Sequence, residues 1–154
     1  MIARSVAAAL IFSASQFASA ASGPCLFQPE DLKSVLGAEP DPGKAYKDPM
    51  GNESLCTYGM GGKLGGGFTV RVNPRQVEKK DFDSVAKLAQ TMSGKPPEMI
   101  AGVGDSAFYV NGRAAVLVGT KMIEFTGMNA ATRKEPLSND EIVKFLKLAV
   151  ERAK

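Results

Sequence analysis

The sequence predicts an α+β domain, an antiparallel sheet of about five strands with helices on one face, in the order α-β-β-α-β-β-β-α. Three observations carry that reading. An apolar stripe (Ile142, Phe145, Leu146, Ala149, Val150) recurs at helical spacing near the end of the chain. Residues 68–72 alternate strictly, with Phe68, Val70 and Val72 on one side and Thr69 and Arg71 on the other. Asn111-Gly112 stands between two apolar runs, where both residues tolerate the positive φ of a tight hairpin.

The first helix is expected over 29–36. Pro29 suits the first helical position, Glu30 and Asp31 meet the positive end of the helix dipole, and Gly37 offers a left-handed stop. Residues 38–54, rich in Pro, Gly, Asp and Lys, read as a long surface loop. Leu55-Cys56-Thr57-Tyr58 opens a strand, a glycine-rich connection 59–67 follows, and 68–72 returns as its neighbour. A second helix is expected over 81–93 with Asp81 as its N-cap and Gly94 as its stop. Three short strands then form a meander, 106–110, 114–118 and 121–126, turned at Asn111-Gly112 and Gly119-Thr120. The last helix starts in a capping box, Ser138-Asn139-Asp140-Glu141, and runs to about Ala153.

Residues 1–20 read as a secretory signal: one early charge at Arg4, a short apolar run from Val6 to Phe12, and the small-residue site Ala18-Ser19-Ala20 before Ala21. Cleavage near Ala20-Ala21 places the protein in the periplasm or outside the cell. Removing 20 of 154 residues leaves 134, one domain of 21–154. No apolar stretch in it approaches the roughly 20 residues that span a bilayer. The two cysteines, Cys25 and Cys56, form an even count in an exported chain and so predict a disulfide. Closing that loop of about 32 residues stabilises the fold by roughly 3–4 kcal/mol.

Composition closes several functions. The chain has no histidine, which excludes Ser-His-Asp and Cys-His catalysis and histidine-bound zinc. With both thiols bonded, no metal site and no cofactor are expected. A net charge of +3 gives no reason to invoke nucleic acid. The scattered methionines lack the clustering that copper would need. The glycine-rich segment is no phosphate loop, since Leu64 follows Gly62-Lys63 where Ser or Thr is required. The acidic pairs Glu30/Asp31, Asp81/Asp83 and Asp140/Glu141 fall in first helical turns and are explained by capping.

The candidate contact residues are Tyr58, Met60, Lys63 and Leu64, in and beside the glycine-rich loop, and Asp105 at the entry to a strand. Pro24-Cys25-Leu26 before a short helix, then Cys56-Thr57-Tyr58, then Gly102-Val103-Gly104-Asp105-Ser106-Ala107, resemble small exported bacterial proteins of unknown function, many of them actinobacterial lipoproteins. The resemblance implies an α+β domain and a Cys25–Cys56 bridge. It implies no activity, and no lipid anchor, because Pro24 occupies the place where a lipoprotein signal carries Gly, Ala or Ser. The expectation is an exported soluble binding or interaction module without catalysis, its partner a protein or a small molecule. A carboxylate-dependent envelope hydrolase or lyase and a carrier of apolar ligands are the alternatives.

Overall fold

The computed structural model describes residues 25–37, 40–59, 67–128 and 138–154; the signal segment 1–20 and the loop residues Met60, Lys63 and Leu64 lie outside them. In chain order the elements are α1 (Pro29–Leu36), β1 (Lys44–Lys47), β2 (Glu53–Gly59), β3 (Gly67–Val72), α2 (Lys79–Ser93), β4 (Glu98–Met99), β5 (Ser106–Val110), β6 (Arg113–Val118), β7 (Lys121–Thr126) and α3 (Asn139–Ala153). The strands form one antiparallel sheet in the order β1-β2-β3-β7-β6-β5-β4. Two meanders, β1 to β3 and β4 to β7, thus meet at the β3–β7 pair.

The architecture is α+β as expected, but the sheet has seven strands rather than about five. Both additions are edge strands. β1 lies within the segment expected to be a loop. All four of its residues are exposed, so no apolar alternation marks it, and lysines at both ends guard the edge. Its link to β2 is organised by Asp48, a buried carboxylate that accepts from the backbone N–H of Met50 and Asn52 at 2.9 Å each and from the Ser54 hydroxyl at 2.9 Å. β4 is only two residues long.

The helices also cover both faces, not one. Strand β6 is buried at four successive positions, Ala114 to Leu117. Because side chains alternate sides along a strand, such a run demands cover above and below. Ala114 and Val116 face α1 and α3, in a core that includes Leu32, Ile142 and Phe145. Ala115 and Leu117 face α2, beside Phe82, Ala86 and Ala89. Helix α2 begins at Lys79, two residues before the expected Asp81 cap, and the added turn carries a Lys79–Asp83 ion pair at 2.8 Å. The capping box at Ser138 and Glu141 is present, as is the positive φ at Asn111 and Gly112.

The larger core is centred on Phe27, whose ring meets those of Tyr58, Phe125 and Phe145; Phe68 completes the cluster by stacking on Tyr58. Phe27 belongs to no strand, so its buried backbone has no ladder partner. The Tyr58 hydroxyl supplies one in both directions: it accepts from Phe27 N–H at 3.0 Å and donates to Phe27 C=O at 3.2 Å. Two residues back along both segments, Cys25 and Cys56 are joined, with Cα atoms 5.0 Å apart. Gly43 packs so closely here that a Cβ would lie 2.6 Å from the Tyr58 ring and 2.7 Å from the Cys56 sulfur. Neither atom can yield, one being in a rigid ring and the other in a bridge.

Replacing both cysteines by serine should lower the unfolding free energy by roughly 3 kcal/mol in urea titration. Tyr58→Phe leaves the buried Phe27 N–H and C=O unpaired and should cost about 2 kcal/mol or more. Burial pushes the Tyr58 phenol from 10.0 up to about 12, the Phe27 hydrogen bond opposing this and the Asp31 charge adding to it. A raised pKa in the folded state means that this stabilisation is complete below about pH 10 and is lost as pH climbs through about 12. Tyrosinate absorbance of the wild type minus that of Tyr58→Phe should show that late midpoint.

A half-open sheet face as candidate functional site

Cross-strand partners place side chains in rows, since directly opposite residues point to the same side. One row on the α2 side runs Tyr46, Leu55, Arg71, Glu124, Ala115, Phe108 and Met99 across all seven strands. The next runs Lys44, Thr57, Thr69, Thr126, Arg113 and Val110. Helix α2 packs over β5 and β6 and covers Ala115, Phe108 and Val110. From Glu124 towards β1, the residues of the first row sit on a face outside that cluster. Among the described residues, half of one sheet face is therefore left uncovered by a helix, with α2 as its wall.

The chemistry of the open half differs from the rest of the sheet. Thr57 and Thr69 approach at 3.4 Å between their hydroxyls. Arg71 Nη1 lies 3.7 Å from Glu124, beyond hydrogen-bonding distance, and Arg71 Nε is buried with no acceptor among the described residues. Arg113 directs Nη1 at the Met92 thioether, 3.3 Å away, a weak acceptor. Arg113 is exposed and the Arg71 side chain is 43% exposed, so their terminal N–H groups meet solvent, while Arg71 Nε is shielded from it. Glu124 lies between their strands with its side chain 24% exposed. Burial raises its carboxyl above the ordinary value, and the charges of Arg71 and Arg113 oppose the shift without cancelling it. A hollow of about 60 Å³ reaches from Glu124 and Thr126 to Val85, Leu88 and Ala89 on α2. Leu88 and Met92 are 58% and 61% exposed on that helix, and Tyr46 is 46% exposed on the far side.

The residues singled out in the sequence do not gather here. Tyr58 is fully buried on the opposite face, bonded to Phe27. Asp105 accepts from Gly119 N–H at 2.5 Å and pins the β6–β7 turn, at the other end of the sheet from Thr126. Met60, Lys63 and Leu64 lie outside the described residues. Arg71, Arg113, Glu124 and the threonine row were missed. One signal was available: Glu124 is the single charge within the apolar core of β7, on the same strand parity as Thr126. Its meaning needed the β3–β7 register, which joins strands about 50 residues apart.

Among the described residues no group of three or more His, Cys, Asp or Glu side chains is placed to hold a metal, and no helix is long and apolar enough to cross a membrane. The chain matches no family model, no curated protein and no solved structure.

Arg71→Gln should raise the Glu124 pKa further by removing a favourable charge, whereas the conservative Arg71→Lys should move it less. Carboxyl NMR titration reads both.

Proposed function

We propose that this chain is an exported binding module whose contact surface is the open half of the sheet, and that it takes an anionic ligand with an apolar arm. The observation that carries the reading is the pairing of two solvent-accessible guanidiniums with exposed Leu88 and Met92 on one face of the sheet. Lys44, Arg71 and Arg113 outnumber Glu124 there, so the face favours a negative partner. The same surplus disfavours a second copy of the chain, which would bring like charge to like charge. The signal-like leader and the resemblance to small exported bacterial proteins support export, and the Cys25–Cys56 bridge suits an oxidising compartment.

Amide NMR titration with a panel of N-acyl amino acids, acidic sugars and acidic peptides tests the reading. Saturable shifts are expected on β2, β3 and β7 around Thr57, Thr69 and Glu124, and Thr69→Trp, which fills the face, should abolish them. Shifts confined to the α1–α3 side, or none with any member of the panel, would refute it. In protein recovered from the exported fraction, neither thiol should react with maleimide before reduction.

A further inference from the structure

Resting on that binding reading, we infer that the open face receives an extended acidic peptide. A ligand carboxylate replaces Glu124 as the counter-ion of Arg71 and Arg113, and an aliphatic side chain two residues away lies against Leu88 and Met92.

Among the described residues neither guanidinium has a carboxylate within hydrogen-bonding distance. A guanidinium offers donors in a fixed fork suited to a carboxylate. Arg71 has an orphaned Nε and a carboxylate held at 3.7 Å; Arg113 has a thioether. Glu124 therefore offsets only part of the positive charge of the face and stands beyond hydrogen-bonding distance of Arg71. A carboxylate arriving from solvent can approach the exposed terminal nitrogens of Arg71 and Arg113 more closely than Glu124, anchored on β7, approaches Arg71.

Charge stoichiometry selects the class of ligand. Glu124 is one carboxylate between two cations. A ligand with a single carboxylate replaces it one for one, while a polyanion such as nucleic acid or an acidic membrane would set its next charge against Glu124. The apolar wall selects further. In an extended peptide, residues i and i+2 share a side and lie about 7 Å apart, so an acidic and an aliphatic residue at that spacing meet the guanidiniums and the α2 wall together. The hydroxyls of Thr57, Thr69 and Thr126 lie in one row of the face; Thr57 and Thr69 share a 3.4 Å contact, and each hydroxyl keeps further acceptor capacity for a peptide N–H.

Exchange of one carboxylate for another has a proton cost. With the ligand seated, Glu124 faces a like charge in a partly buried site and takes up a proton from solvent. The charged groups acting on it are Arg71 from β3 and Arg113 from β6; the α2 residues lining the same hollow are Val85, Leu88 and Ala89, none of which titrates. Burial already favours the protonated form. Affinity should accordingly rise as pH falls towards about 5, where an exposed ligand aspartate, with pKa about 3.9, is still charged.

The test uses a capped pentapeptide with leucine and aspartate at its second and fourth positions, and its asparagine counterpart, titrated by amide NMR at about pH 5 and about pH 7.5. The aspartate peptide is expected to bind about tenfold tighter than the asparagine one, and several-fold tighter at the lower pH. Glu124→Gln, a near-isosteric change, should bind at both pH values as tightly as the wild type does at about pH 5. Arg71→Gln and Arg113→Gln should each erase the preference for aspartate. Equal binding of the two peptides, a pH-independent wild type, or weaker binding by Glu124→Gln would overturn the exchange. Shifts on the face that persist with the asparagine peptide would leave the binding surface standing, whereas silence with every anion of the panel removes the surface itself.

Discussion

The structure depends on holding an N-terminal segment that belongs to no strand. Residues 25–28 lie over the sheet without a ladder partner, yet Phe27 is the hub of the aromatic core. Burying an unpaired backbone amide costs more than most side-chain contacts return. The Tyr58 hydroxyl resolves this by acting as donor and acceptor to the same residue, and the bridge at Cys25–Cys56 fixes the segment at matching spacing. Phenylalanine at 58 would fill the same volume and leave both groups orphaned. Without the segment, Tyr58, Phe125 and Phe145 would each lose the ring that joins them, and the core beneath α3 would be left with a void at its centre.

This clamp makes the two sides of the sheet unequal. The clamped side is closed along its length by the N-terminal segment, α1 and α3, with the Asp31–Arg152 ion pair joining the two helices. On the other side a single 15-residue helix is available, and it follows the apolar residues of β5 and β6. Beyond it, the outward positions of the β1–β3 meander mix polar Lys44, Thr57, Thr69 and Arg71 with apolar Tyr46 and Leu55, where the partner half carries alanine and phenylalanine.

Much of this was legible in the sequence, and the exceptions have physical causes. Helices α1 and α3 announce themselves through caps and a wet-dry stripe, both local signals. Strand β1 does not, because an edge strand exposed on all sides has no apolar period to display. The placement of helices on both faces was written in the run Ala114-Ala115-Val116-Leu117, which is apolar on both parities, but a short run of this kind is equally a plain strand until its neighbours are known. Tyr58, beside the glycine-rich segment, is expected as a contact residue, and only the fold shows its hydroxyl turned inward to Phe27. Arg71, Glu124 and Arg113 come from three strands brought together by register, and no window along the chain contains them.

The Arg71–Glu124–Arg113 group is poorly explained as a stabilising device. A partly buried ion pair pays a desolvation penalty that only close, fully hydrogen-bonded geometry offsets. Here the nearest approach is 3.7 Å, one guanidinium nitrogen is orphaned, and the carboxyl is shifted towards its neutral form. Apolar residues at the same positions would extend the α2 core across β7 and β3 at less cost. Such a replacement would also erase the positive charge of this face. The grouping serves folding badly, and it stands where, among the described residues, α2 stops covering the sheet.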